Sequence, residues 1–494
     1  MQTYTLEKAR AYETKYAPFI SRDERPGYHL SPMVGWMNDP NGFCFHNGKY
    51  HIFYQYHPYS NHWGPMHWGH AVSTDLLHWQ YLPVALAPDS PADCFGCFSG
   101  SAVTLPDGRH LLMYTGVQRV KALNELDVDI QNQCIAIGDG LEYEKYPGNP
   151  VISGEDLPEN LSRRDFRDPK IWQEPDGSYR CVIGNRTEDG SGAILLFSSP
   201  DCLHWKYEGI LDRSYNEYGR MWECPDFFPL DGKQVLMVNS QDMSALGNEF
   251  HNGNNSICIL GHFDPQTKEF HREQICSVDY GLDFYATQTT LAPDGRRIMI
   301  AWMQNWDALG GQPQEQKWFG QLTIPRELRL QDGKLLQAPV REIEALRDRK
   351  VAYTNLRIRE ETTLRGIYGR MVDLTITVRP MSDSSYSLFR IKFAMGSQHY
   401  TSISYRPQTS ELHLNRSHSG SNRDYNHRRK CLVRNRNGEI KLRLLLDRFS
   451  AEIFVNDGEQ VLSTVLYTPQ TADGISFLSD GDAIINVEKY TLIP

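Results

Sequence analysis

The stretch Gly35-Trp36-Met37-Asn38-Asp39-Pro40-Asn41-Gly42 decides how the rest of the chain is read. An acid set among Asn, Pro and Gly, just ahead of the alternating run Phe43 to Tyr56, reads as a turn entering a strand. Taken alone, Asp39 is more simply a turn-forming acid than a functional one. Its register changes that. Asp39 lies nine residues before Gly48 of the hairpin turn His46-Asn47-Gly48. The same interval separates Ser99 from Gly108, Asp168 from Gly177, Glu223 from Gly232 and Ala286 from Gly295. Each of those glycines closes an Asp-Gly turn, and a strand-like run such as Leu111-Leu112-Met113-Tyr114 or Val235-Leu236-Met237-Val238 follows.

Working outward, the turn glycines at 48, 108, 177, 232 and 295 mark five units of similar length, each built of short strands. Such repeats predict propeller blades, with long loops accounting for the generous period. A second echo supports this: Ser73-Thr74-Asp75-Leu76-Leu77-His78-Trp79 returns as Ser199-Pro200-Asp201-Cys202-Leu203-His204-Trp205. If the units are equivalent, Asp39, Ser99, Asp168 and Glu223 open the innermost strands at one end of a central channel. Three carboxylates and a hydroxyl then face one pocket.

The expected architecture is all-β: a five-bladed β-propeller over 28–339 followed by a C-terminal β-sandwich over 352–494. Residues 1–27 form an N-terminal extension, with residues 1–20 expected as one amphipathic helix whose face carries Leu6, Ala9, Tyr12 and Tyr16. Residues 340–351 are a linker, because Val340 to Arg347 has helical periodicity and charge. Beyond it the repeat is lost. Strands such as Val372–Val378 and Ile440–Leu446, and the hairpin around Asn456-Asp457-Gly458, suggest the sandwich.

A chain of 494 residues exceeds one ordinary domain, and its net charge of −10 argues against nucleic acid as the main partner. No run of eighteen apolar residues exists, so no membrane span is expected. The first twenty residues carry Glu7, Lys8, Arg10, Glu13 and Lys15 and no apolar core, so a cytoplasmic location is expected. Ten scattered cysteines then read as reduced thiols. Cys94-Phe95-Gly96-Cys97 is a single CxxC without a second pair, and no metal site is assigned to it. His427-Arg428-Arg429-Lys430 reads as a solvated loop.

Paired carboxylates in an aromatic-lined pocket are the working parts of glycoside hydrolysis. One is ionised, to attack or stabilise the sugar cation; the other is protonated, to serve the leaving oxygen. Trp36, Trp63, Trp68, Phe98, Trp222 and Trp302 offer rings for sugar stacking, although each taken singly is more simply a packing residue. Arg167 beside Asp168 suits a salt bridge or a sugar hydroxyl.

Trp36-Met37-Asn38-Asp39-Pro40-Asn41-Gly42, Phe98-Ser99-Gly100-Ser101, Arg167-Asp168-Pro169 and Trp222-Glu223-Cys224-Pro225-Asp226 together resemble the β-fructofuranosidase (invertase) family, glycoside hydrolase family 32. The resemblance continues through Gln55-Tyr56-His57-Pro58, Trp68-Gly69-His70, Asp283-Phe284-Tyr285-Ala286 and Leu322 to Leu328, and ends near Glu452 to Glu459. It implies a five-bladed propeller with a β-sandwich. It also implies Asp39 as nucleophile, Glu223 as general acid/base and Asp168 as transition-state stabiliser. Asn38, Gln55, Trp63, Phe98, Ser99, Arg167, Cys224, Tyr285 and Trp302 match positions lining the fructose pocket. The implied reaction is retaining hydrolysis of a terminal β-D-fructofuranoside in sucrose or a short fructo-oligosaccharide, through a covalent fructosyl-enzyme, without metal or cofactor. Sucrose-6-phosphate hydrolysis, transfructosylation and a non-catalytic fructan-binding protein are the alternatives, and homo-oligomerisation is left open. Trp318-Phe319-Gly320-Gln321 departs from the family's usual small residues, on the leaving-group side.

Overall fold

The computed structural model describes residues 4–121, 127–311, 316–382, 386–420, 426–435 and 437–494. Each hairpin turn read from the sequence joins the first two strands of a separate antiparallel sheet. The first strands are β1 (Gly35–His46), β2 (Gly96–Thr104), β3 (Leu161–Gln173), β4 (Met221–Leu230) and β5 (Tyr285–Leu291). Every sheet then adds three further strands outward in chain order, and the short strand Trp318–Phe319 pairs in parallel with the free edge of β1. The turn glycines 48, 108, 177, 232 and 295 all have φ between +79° and +89°. A Cβ on any of them meets nothing within 4 Å, so the left-handed backbone, not crowding, selects glycine there.

β1 touches β2, β2 touches β3, β3 touches β4, β4 touches β5, and β5 returns to β1, so the contacts of the first strands close on themselves. Apolar side chains fill the spaces between neighbouring sheets. Ile171, Cys181, Ile183 and Leu195 of the third sheet meet Leu111, Met113 and Ile135 of the second. Val182, Ile194 and Leu196, on the opposite face of the third sheet, meet Leu236, Val238 and Ile257 of the fourth. A strand buried on both faces reads as a continuous apolar run, which is what Cys181-Val182-Ile183 is.

The N-terminal helix α1 spans Leu6–Tyr16, shorter than the expected 1–20. Thr5 caps its start, and Pro18 lies in the 3₁₀ turn Ala17–Phe19 that follows. Its buried residues are Ala9 and Glu13, whereas Tyr12 and Tyr16 are half-buried and pack on each other. Burial pushes the Glu13 carboxyl up to about 7, with the neighbouring Tyr56 hydroxyl, the Val84 backbone and Arg10 opposing it. The expected linker 340–351 divides into a 3₁₀ helix, Arg341–Leu346, and the start of the strand Arg347–Ile358.

The C-terminal part holds a six-stranded and a five-stranded antiparallel sheet. Leu374, Ile376, Leu442 and Leu444 of the first meet Phe389, Ile391, Phe393 and Ile403 of the second in one core. This part is tied to the first five sheets by buried ions. Arg326, fully buried, donates to Glu452 at 3.0 Å, to Asp279 at 3.1 Å and to Ser463 at 2.7 Å. His29 bridges Asp447 at 2.8 Å and Glu452 at 3.0 Å. No helix among the described residues is long and apolar enough to cross a membrane.

Candidate active site

Each first strand carries an irregularity at the register found in the sequence. Pairing with the second strand slips at Asn38-Asp39, at Ser99, at Asp168-Pro169, at Cys224-Pro225 and at Ala286-Thr287. Bulges re-aim side chains and release backbone groups from the ladder. Asp168, Cys224 and Ala286 adopt positive φ values of 68°, 44° and 56° to make theirs. Left-handed backbone at a residue other than glycine costs roughly 1–3 kcal/mol, and such strain clusters at functional sites.

The bulges bring three carboxyls into one pocket of about 220 Å³, lined by Asp39, Asp168 and Glu223 together with Asn38, Gln55, Trp63, Phe98, Ser99 and Arg167. Asp39 accepts from Ser99 Oγ at 2.7 Å, from Asn38 Nδ2 at 3.1 Å and from Cys224 Sγ at 3.6 Å. Asn38 is itself fixed by Trp36 Nε1 at 2.7 Å. Asp168 Oδ2 accepts from the Cys224 backbone N–H at 2.9 Å and from Cys224 Sγ at 3.6 Å. The Cys224 thiol thus sits between two carboxyls. Burial, and then those two charges, push its pKa far up and keep it a protonated donor.

Glu223 is held from both sides. Arg167 donates to Oε1 from Nε at 3.0 Å and from Nη2 at 2.9 Å, while Gln241 at 2.8 Å and Tyr285 at 2.7 Å donate to Oε2. Burial alone opposes the Arg167 charge, but Glu223, Asp168 and Asp165 raise its pKa strongly, so it stays a cation. Burial also raises the Asp39 carboxyl; the Ser99 hydrogen bond works against this and the Glu223 charge adds to it. Asp168 is raised too, by burial first; Arg167 opposes this, and the charges of Glu223 and Asp39 reinforce it. Three carboxyls facing one guanidinium therefore favour keeping a proton in the pocket.

Three expected pocket residues sit behind the wall instead. Trp302 is fully buried, with its ring centroid 6.0 Å from Trp36 and 4.9 Å from Trp306. It pairs with Tyr285 across the fifth sheet, and that ladder holds it in the wall. Tyr285 is buried and reaches Glu223 through its hydroxyl, and Cys224 touches the carboxyls from below. Of the candidate stacking rings, Trp36, Trp68 and Trp222 are buried, while Trp63 is 44% exposed and meets Phe98 edge-on at 6.1 Å.

Sequence reasoning missed Gln131, Met66 and Trp306, which also line the pocket, and Gln241, which holds Glu223. Gln131 Oε1 accepts from the Phe166 N–H at 3.0 Å and from Arg167 Nη1 at 3.3 Å. Gln241 was traceable in principle: it pairs with Met221 across the hairpin closed by Asp231-Gly232, once the bulge is counted. Gln131 sits on the third strand of its sheet and has no comparable signal. Of the CxxC cysteines, Cys94 is exposed and Cys97 is buried, and both are free thiols.

Comparison with known proteins adds the family. Residues 29–339 match the glycosyl hydrolases family 32 N-terminal domain, and residues 342–493 match the family 32 C-terminal domain. A raffinose invertase of Escherichia coli is 39% identical over 462 residues, 93% of each chain. A sucrose-6-phosphate hydrolase of Escherichia coli is 36% identical over the same shares. Among solved structures, a family 32 β-fructofuranosidase of Bombyx mori superposes with a TM-score of 0.84 at 32% identity, covering 99% of this chain and 98% of the other. The matches span nearly the whole sequence, and the three carboxyls meet in one pocket: the chain belongs to glycoside hydrolase family 32.

Proposed function

We propose that the protein hydrolyses terminal β-D-fructofuranosides, sucrose and short fructo-oligosaccharides, with retention of configuration. The observation that carries this reading is the meeting of Asp39, Asp168 and Glu223, from three different first strands, in a single pocket. Asp39 is the nucleophile. Its three donors align the carboxylate while leaving it uncrossed by any cation, since Arg167 is spent on Glu223 and Asp165. Glu223 presents the proton to the leaving oxygen and later draws a proton from water, which releases fructose from the Asp39 ester. Asp168, fixed through Oδ2 by the Cys224 N–H, turns its other oxygen to the fructose hydroxyls. Trp63 and Phe98 wall the sugar at the mouth.

In the same reading, the five sheets with closed first-strand contacts are the blades of a five-bladed β-propeller over 28–339. The two C-terminal sheets sharing one core are a β-sandwich over 352–494, and the enzyme works in the cytoplasm on sugar taken up by a transporter. The 36%-identical relative named sucrose-6-phosphate hydrolase keeps that phosphorylated sugar as the second candidate substrate.

The test is kinetic and stereochemical. Purified protein should release β-fructose first from sucrose, seen by NMR before mutarotation. Asp39→Ala and Glu223→Ala should each lower kcat by roughly a thousandfold or more while the fold persists. Wild-type-like turnover in either variant ends the two-carboxyl mechanism.

A further inference from the structure

A second cavity opens at the same end of the sheets as the catalytic pocket, between the third and fourth sheets. The strand Tyr179–Thr187 returns to that end at Arg186 and turns back through Asp189 and Gly190. In the fourth sheet, Arg220 directly precedes β4 and Asp242 lies at the end of the strand Lys233–Met243. With Asn216, these residues surround a space of about 680 Å³. Small-ligand pockets run from roughly 300 to 1,000 Å³.

Two short paths join this cavity to Glu223. The Arg220 backbone N–H donates to the Gln241 carbonyl at 2.9 Å, and the Gln241 side chain donates to Glu223. On the other side, Arg186 Nε lies 3.6 Å from Asp165, whose second oxygen pairs with Arg167 at 3.2 Å, and Arg167 holds Glu223. The cavity therefore flanks the group that serves the leaving oxygen, on the side away from Asp39 and Ser99.

Its lining is balanced: Arg186 and Arg220 stand with Asp189 and Asp242 around the same space, beside Asn216 and Ser244. Asp189 is already engaged by Thr187, by the Ser191 N–H at 3.1 Å and by Arg213 at 3.8 Å. Among the described residues, Arg220 makes no ion pair. Donors and acceptors in equal number, with no net charge between them, suit a ring of hydroxyls, each of which both donates and accepts. A phosphate dianion at this place meets two carboxylates as well as the arginines, which removes most of the electrostatic gain.

We propose that this cavity seats the second sugar ring of a neutral oligosaccharide leaving group, with Arg220 and Asp242 as its specificity-determining contacts. The enzyme is thereby fitted to trisaccharides whose terminal fructose is cleaved from a disaccharide. The proposal rests on Glu223 being the acid that serves the leaving group. The experiment compares kcat/KM for sucrose, raffinose, 1-kestose and sucrose-6-phosphate in the wild type, in Arg220→Ala and in Asp242→Asn. Both replaced side chains are exposed, so the variants should fold. Losing a hydrogen bond to a charged group should lower the ratio of either trisaccharide to sucrose about tenfold. The ratio of sucrose-6-phosphate to sucrose should hold. Unchanged trisaccharide ratios in both variants overturn the proposal, as does a selective loss on sucrose-6-phosphate, which makes the cavity an anion site. A wild type that cleaves none of the four sugars overturns the reading of Glu223 instead, and its rates tell that failure from the first two.

Discussion

Removing one histidine should make the join between the first five sheets and the C-terminal pair insensitive to alkaline pH. His29 is fully enclosed between Asp447 and Glu452, and the Asp447 carboxylate also accepts the backbone N–H groups of Gly27 and Tyr28 at 2.6 and 3.1 Å. Burial alone works against the imidazolium, but the two carboxylates outweigh it and hold His29 up to about 9. In the unfolded chain a histidine titrates near ~6.5. A group raised on folding contributes stability that is fully present below its unfolded pKa and is lost as pH climbs through its folded one. The window is therefore from about 6.5 to about 9. At ~1.4 kcal/mol per pH unit, the imidazolium contributes about 3 kcal/mol at pH 6 and almost none at pH 10.

The perturbation is His29→Gln, read by thermal unfolding across pH 6 to 10 for wild type and variant. Glutamine keeps one hydrogen bond but not the charge, so two buried carboxylates lose their nearest cation on that side. Breaking such a buried pair from one end costs on the order of 3–5 kcal/mol. Arg326 still serves Glu452 at 3.0 Å, which places the expected loss toward the lower figure. The gap between wild type and variant should be widest near pH 6 and close as pH passes 9. Lysines and tyrosines that titrate above pH 9 act on both proteins and cancel in the difference. Parallel curves over the whole range would refute the charged latch.

Two further outcomes can be checked directly. Ser99→Ala removes the 2.7 Å hydrogen bond to Asp39, which should slow turnover roughly ten- to hundredfold. Because that bond opposes the burial that raises the Asp39 carboxyl, its loss should also move the acid limb of kcat/KM to higher pH; an unmoved limb with normal turnover would show that Ser99 does not act on Asp39. Thiol labelling of the native protein should modify exposed Cys94 first, leave Cys224 untouched and find all ten cysteines reduced, whereas two or more native disulfides would sink the cytoplasmic assignment.

The nine-residue interval was legible because it has a mechanical origin. From bulge to turn each first strand covers the same stretch: Asp168 and Gly177 are joined by an unbroken run of pairs, whereas β1 takes up a second bulge at Gly42-Phe43 between Asp39 and Gly48. The turn glycines could be read for the same reason, since their left-handed backbone excludes other residues at little cost to prediction. Less visible was anything set by the outer strands. Gln131 lines the pocket from a third strand with no turn signal, and Gln241 holds Glu223 from a second strand, where the hairpin turn locates it only once the bulge is counted. Helix α1 is shorter than its periodicity suggests because Thr5 caps it and the Pro18 turn follows it; Leu6, Ala9, Tyr12 and Tyr16 do pack inward, and the residue the pattern left out is Glu13, buried among them.

The fifth register position shows why the repeat alone does not assign chemistry. Ala286 occupies the place held elsewhere by Asp39, Ser99, Asp168 and Glu223, with the same bulge and a φ of 56°, yet offers no functional group. The preceding residue, Tyr285, supplies the contact instead, its hydroxyl meeting Glu223 at 2.7 Å from within the wall. At β4 the division is different again. Glu223 stands just before the slip and faces the pocket, while Cys224 takes the strained backbone and hands its N–H to Asp168 and its thiol to Asp39. The bulge thus does one thing five times, freeing a backbone position at the mouth, and the side chains exploit that freedom in different ways. Donors from β2, β4 and β5 converge on carboxyls from β1, β3 and β4, so each acid is fixed at least in part by a strand other than its own. An arrangement of that kind holds only if the sheets keep their relative positions, which gives the apolar packing between them a direct part in the chemistry.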